Sequence, residues 1–302
     1  MKLSKRIAAL AAAALSLLLP AGSAQAKAKV VVTYPYIESL LREIAHDQVD
    51  VTVLAKGDED PHFVVPRPSF IGKLRQADLL VVNGASLEIG YVPPLVRQAN
   101  NPKVMPGGEG FVELSQFVDL MGKVDKVSRT EGDIHPDGNP HFILDWHNVP
   151  ALAKGLSEAL VKVDPAGKDA YQQGLAAFLA KWKERSDAWD QRALPLKGKK
   201  FIQYHRLFNY FAHRTGMEIA GELEPKPGIP PTSRHMEELI ALGAGGSVWL
   251  IVGDAFHEHK SAEVLSQKLG IPAVVLPQDV GAVAGAKDLY SFYDTLLGST
   301  LR

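Results

Sequence analysis

Four side chains able to hold a metal, His62, His141, His205 and Asp279, each lie just beyond a strand-like stretch or in a Pro/Gly turn. Three neutral imidazoles and one carboxylate suit Zn2+ well. They suit Mn2+ less, because manganese prefers oxygen donors. The gaps between them are 79, 64 and 74 residues, so no single helix or hairpin gathers them. A folded cleft does. In open α/β sheets that cleft lies outside the carboxyl ends of the strands, and the leading reading is a metal held between two lobes.

The elements needed to build such a cleft are legible. In the first half, Val30 to Thr33, Val51 to Leu54 and Leu79 to Val82 are strand-like. Ile37 to Ala45 and Tyr91 to Ala99 are helix-patterned, and a short segment follows at Lys103 to Met105. The second half repeats the alternation. Strands are expected at Lys200 to Tyr204, Met217 to Ala220, Val248 to Val252 and Ala273 to Leu276. Helices are expected at Leu207 to Thr215, Arg234 to Leu242, His259 to Leu269 and Ala286 to Leu297, the last capped by Gly298. This alternation predicts an α/β fold of mostly parallel, Rossmann-like sheets.

A different pattern joins the halves. Asp164 is a good N-cap and Pro165 suits the first helical position. No proline interrupts the run to Leu194, and Tyr171, Leu175, Phe178, Trp182 and Trp189 share one face. The expected division is an amino-terminal lobe (27–163), a rigid linking helix (164–195) and a carboxy-terminal lobe (196–302), each lobe with its own core. Gly174 costs the linking helix about 1 kcal/mol. The polar segment 125–140 reads as a mobile loop.

Residues 1–26 read as a cleaved secretory leader: Lys2, Lys5 and Arg6 precede an apolar run from Ile7 to Leu19, and Ala24-Gln25-Ala26 offers a cleavage site. With no cysteine in the sequence, disulfides, thiolate ligands and lipobox acylation are excluded, so the expected product is a soluble periplasmic protein without a lipid anchor. Of 33 basic and 34 acidic residues, loss of the three basic ones in the leader leaves 30 against 34, a net charge of −4. That balance offers no nucleic-acid face and is compatible with cations.

Taken singly, the four candidates have plainer readings. His62, in Asp60-Pro61-His62, is a loop histidine of the kind usually solvated. His141, in Asn139-Pro140-His141, is followed by Asp145, which can accept from a ligating imidazole or cap the next helix. His205 closes a strand, where a backbone group often satisfies the ring, and Asp279 can be a simple turn residue. His257 and His259 read as a solvated turn, and His46, His147, His213 and His235 as surface or packing residues.

Together these blocks resemble the zinc/manganese substrate-binding proteins of ABC importers, the cluster A-I solute receptors. The likeness is carried by Asp60-Pro61-His62 with Pro66-Arg67-Pro68-Ser69, by Asn139-Pro140-His141, and by His205 with Tyr210-Phe211-Ala212 and Thr215-Gly216. Glu224-Pro225-Lys226-Pro227-Gly228-Ile229-Pro230-Pro231 is similar to a block found in one subgroup. The resemblance implies two four-stranded lobes joined by a long helix, with His62, His141 and His205 as ligands and Asp279 as the carboxylate. It also implies an inner-membrane ABC permease as partner, with a periplasmic metallochaperone as a further candidate, and a monomer. Manganese-selecting relatives tend to replace the third histidine by a carboxylate, so His205 favours zinc. The chain departs from the pattern at Ile143-Leu144-Asp145-Trp146, where many relatives have Trp-Leu-Asp-Pro. It also has only His135 where many zinc receptors carry a histidine-rich loop.

Two competing readings remain at this stage. A secreted zinc-dependent hydrolase would use Glu59, Asp60 or Glu222 as general base, although no His-Glu-x-x-His motif is present. A Mn2+-selective receptor of the same fold is the other.

Overall fold

The computed structural model describes residues 26–123 and 135–301. The leader read in residues 1–26 lies outside them save for its last residue, and of the polar loop 125–140 only residues 135–140 are described.

Strands β1 (Ala28–Val32), β2 (Val49–Val53), β3 (Leu79–Val82) and β4 (Phe111–Glu113) form a parallel sheet in the order β2-β1-β3-β4. Helices α1 (Pro35–Ala45), α2 (Pro68–Gln76) and α3 (Val92–Ala99) make the crossovers. Every residue of β3 is buried, as expected of a central parallel strand covered on both faces. Residues Lys103 to Met105 join no strand. A 3-10 turn spans Pro102–Val104, and the fourth strand comes later, at Phe111.

Helix α4 (Val149–Val163) then leads into the long helix α5 (Lys168–Ala193). Beyond it, β5 (Lys200–Gln203), α6 (Asn209–Thr215), β6 (Glu218–Glu222), α7 (Ser233–Gly243), β7 (Val248–Gly253), α8 (Lys260–Leu269) and β8 (Ala273–Val275) build a second parallel sheet. Its order, β6-β5-β7-β8, repeats that of the first. Helix α9 (Leu289–Thr300) ends the fold.

The linking helix is shorter than its proline-free run: 26 residues, or about 39 Å at 1.5 Å per residue. Asp164 is not its N-cap. A 3-10 turn, Pro165–Gly167, intervenes, and the Asp164 carboxylate accepts from the Tyr171 phenol at 2.5 Å. Gly174 has a packing role, since a Cβ there would collide with the Ile44 carbonyl oxygen where α5 crosses α1. The last helix runs through Gly298 to Thr300, and Asp288 and Ser291 cap its start reciprocally.

The lobes do not keep wholly separate cores. One apolar cluster runs from the first sheet across α5 into the second half. At its centre Trp146, Trp182, Trp189 and Tyr293 pack with ring centroids between 5.0 and 6.2 Å apart. The link is made by α9, which returns from the second sheet to pack on α5 and α1. A smaller cluster fills the space between the second sheet and α7 and α8.

Candidate metal centre

A parallel sheet of order 2-1-3-4 reverses its winding between its two central strands, and crevices open at the carboxyl ends there. The two sheets turn those ends toward one another. The β2–α2 loop supplies His62, the segment before α4 supplies His141, and His205 lies two residues beyond β5. One nitrogen from each of the three imidazoles lies within 4.8 Å of the others. Their ring centroids form a near-equilateral triangle of 5.4, 5.4 and 5.7 Å, with the rings nearly perpendicular to one another. Tetrahedral zinc with Zn–N bonds of about 2.0–2.1 Å needs its nitrogens roughly 3.3 Å apart, a modest contraction of this cluster.

Two of the rings are held from behind. His62 Nδ1 lies 2.8 Å from Asp60 Oδ1, which also accepts the His62 backbone N–H at 2.9 Å. Burial raises the Asp60 carboxyl, but these bonds outweigh it and hold the group below its ordinary range. His205 Nδ1 lies 2.7 Å from Glu224 Oε2. Both contacts leave Nε2 as the nitrogen facing the cluster, the arrangement that orients metal-binding imidazoles. His141 Nε2 is buried without a hydrogen-bond partner among the described residues. Burial first, then the neighbouring His62, His205 and His135, push its pKa well below the usual imidazole range, so the ring is neutral and able to donate its lone pair.

Asp279 stands apart from the three-histidine group. It lines the same small cavity as His141, Tyr36 and Asn83, and its Oδ1 accepts from the backbone N–H groups of Tyr36 and Val280 at 2.9 and 2.6 Å. Burial outweighs those bonds and pushes its carboxyl well above the ordinary range. The loop carrying Asp279 packs against the His62 loop at Gly57, where a Cβ would strike the Val280 carbonyl, and Gln278 Nε2 donates to the Gly57 carbonyl at 2.7 Å.

Other expectations need correction. Asp145 serves neither imidazole nor helix cap. It pairs bidentately with Arg214 of α6, at 2.7 and 3.0 Å, tying the second half to the His141 segment. Asp60 is committed to His62 and is not a free base. His257 is no solvated turn residue: it is wedged between Asp254 and Glu224 and stacks on Tyr204 with centroids 4.4 Å apart. Glu224, legible only as part of a proline-rich block, had no assigned role. His135 brings a fourth imidazole close, with its Nε2 3.2 Å from that of His62. Together with His141 and His205 it lines a cavity of about 280 Å3 that opens outward. Its sequence signal was its position six residues before His141, where many receptors of the resembled family carry a histidine-rich loop.

Two parallel α/β lobes with imidazoles gathered in the crevice between them define a class, the extracytoplasmic metal receptors that serve ABC transporters. A family model described as ZnuA, zinc-uptake complex component A, periplasmic, matches residues 30–297, and the chain belongs to that family. The metal ABC transporter substrate-binding lipoprotein FimA of Streptococcus parasanguinis is 28% identical over 206 residues, covering 65% of this chain and 62% of FimA. The high-affinity zinc uptake system protein ZnuA of Bacillus subtilis is 26% identical over 262 residues, covering 84% of this chain and 80% of the relative. A crystal structure of ZnuA shares the fold with a TM-score of 0.73 at 22% identity, covering 91% of this chain and 99% of the other. Other relatives are named as manganese and iron receptors. Members of the family are substrate-binding receptors, not enzymes.

Proposed function

We propose that the chain captures Zn2+ between an amino-terminal lobe (27–163) and a carboxy-terminal lobe (196–302), joined by the spine 164–195, and delivers it to an ABC permease. The ligands are His62, His141 and His205, with Asp279 closing the shell. The observation that carries this reading is the triangle of imidazoles within 4.8 Å of one another. A set dominated by imidazole favours zinc over manganese. Asp279 is supported by its burial beside His141, because a dication would compensate a carboxylate charge that burial opposes. The protein acts as a monomer in the periplasm after removal of residues 1–26, without a lipid anchor, and a metallochaperone is a candidate for loading it. The leader pattern and the absence of cysteine support that location.

The test is calorimetric titration of metal-stripped protein, residues 27–302, with Zn2+ and separately with Mn2+. One tight zinc site with much weaker manganese is expected, and His205→Ala should lose most of the zinc affinity. Parent-like binding by His205→Ala would remove the assigned site. Tighter manganese than zinc would move the assignment to a manganese receptor.

A further inference from the structure

Beyond the ligands, three neighbouring strands of the second sheet, in the order β6-β5-β7, end near residues that His257 links into one chain of contacts, His205–Glu224–His257–Asp254. Glu224 lies two residues past β6, His205 two past β5, and Asp254 one past β7. Backbone bonds continue the ladder past the strand ends: Leu223 N–H donates to the Gln203 carbonyl at 2.8 Å, Glu224 N–H to Tyr204 at 3.0 Å, and Tyr204 N–H to Val252 at 2.8 Å. The register therefore seats Glu224 beside His205.

Glu224 is 4% exposed and Asp254 is fully buried. Glu224 Oε2 faces His205 Nδ1 at 2.7 Å and also accepts the Gly228 N–H at 3.1 Å, while Oε1 lies 3.3 Å from His257 Nε2. The other nitrogen of His257 meets Asp254 Oδ2 at 2.8 Å. Asp254 Oδ1 receives the backbone N–H groups of Phe256 and His257, at 3.1 and 2.9 Å. A ring with carboxylate acceptors on both nitrogens donates from both, as an imidazolium. His257 thus pins one oxygen of Glu224 and leaves the other for His205. A carboxylate only accepts, so His205 carries its proton on Nδ1 and presents the Nε2 lone pair to the cluster.

We propose that Glu224 and His257 are positioning residues for the metal site, with His257 acting through Glu224 to hold the ring and tautomer of His205. This rests on His205 being a zinc ligand. Removal of such outer partners typically weakens metal binding ten- to a hundredfold. The unit also ties the 224–231 segment to a ligand through the Gly228 bond, so that segment and the His205 ring are held by one carboxylate.

The test compares zinc affinity, by competition with a chromogenic chelator, for His257→Phe, Glu224→Gln and the double variant. Phenylalanine keeps a ring for Tyr204 to stack on but removes both donors. Each single variant should bind zinc about ten- to a hundredfold more weakly, and the double variant no more weakly than Glu224→Gln alone, since one residue acts through the other. His257→Gln, which supplies a single amide donor, should recover part of the loss. Co2+-loaded His257→Phe should show a shifted visible absorption envelope, which a purely structural role would leave unmoved. Parent-like affinity in His257→Phe, or losses that multiply in the double variant, would overturn the proposal. If His205→Ala alone binds like the parent, the ligand assignment fails; if His205→Ala is weak while Glu224→Gln and His257→Phe are parent-like, only the positioning role fails. Should Glu224→Gln not fold, His257→Phe and its glutamine rescue decide.

Discussion

At the residue scale, protonation states divide the work. His141 is kept neutral by burial and by its imidazole neighbours, while His257 is kept charged: burial lowers its pKa, but bonds to Asp254 and Glu224 outweigh that and raise it to about 9. A raised histidine contributes stability that is fully present below its unfolded value of about 6.5 and is lost as pH rises through the folded value. The melting temperature of the metal-free protein should therefore fall between pH 7 and pH 9.5, and His257→Phe should flatten that slope. An identical slope in the two proteins would contradict the charged state. Glu224 acts in the opposite window. Burial raises it, but its histidine bonds hold it at about 2, so its contribution is lost as pH falls below about 4.5. Zinc affinity has its own dependence, because protons compete for imidazole nitrogen. It should fall as pH drops from 7.5 to 5.5, through the imidazole range near 6.5. Titrations at both ends check this, and a flat response would count against imidazole ligation.

Elements set where these residues can stand. Helix α5 crosses α1 so closely at Gly174 that there is no room for a Cβ before the Ile44 carbonyl. From the sequence, that glycine carries only a propensity penalty of about 1 kcal/mol, and alanine looks like an improvement. The crossing reverses the sign: Gly174→Ala should destabilise by about 1–3 kcal/mol, the usual cost of overpacking. Thermal unfolding of the metal-free variant measures it, and a raised melting temperature would show that the helices can separate freely. The same element exposes how local signals mislead. Asp164-Pro165 has the composition of a helix start, yet Asp164 is recruited by Tyr171, one turn into the helix. Conversely, the central strands β1, β3, β5 and β7 were well read from β-branched and apolar runs, because parallel strands covered on both faces are apolar along most of their length, whereas the short edge strand β4 at Phe111–Glu113 was missed.

For the whole molecule, the shared core limits the motion available to metal binding. Trp146, Trp182, Trp189 and Tyr293 interlock where α5 and α9 join the two halves, and the Tyr293 hydroxyl donates to the Ile143 carbonyl at 2.5 Å, two residues from His141. The Arg214–Asp145 pair adds a second clasp. Separating the lobes widely would expose packed aromatic surface, so capture is expected to proceed by side-chain and loop adjustment rather than by wide opening. Small-angle scattering curves with and without zinc should superimpose closely. Zinc should nonetheless raise the melting temperature, since a ligand at 1,000 times its Kd stabilises by about 4.1 kcal/mol. A large decrease in radius of gyration on zinc addition would show a hinged closure instead.

The sequence alone determined the strand and helix alternation, the linking helix and the identity of the candidate ligands. These are carried by local periodicity and by short motifs such as Asp60-Pro61-His62 and Asn139-Pro140-His141. Tertiary structure decided everything that depends on which loops meet. It made His257 and Glu224 partners of His205, set Asp145 against Arg214 and brought His135 beside His62. It also merged the lobe cores through the returning α9. The physical reason is that a side chain's partners are set by strand order and register across tens to hundreds of residues. A solvated turn and a buried ion pair can have the same local sequence.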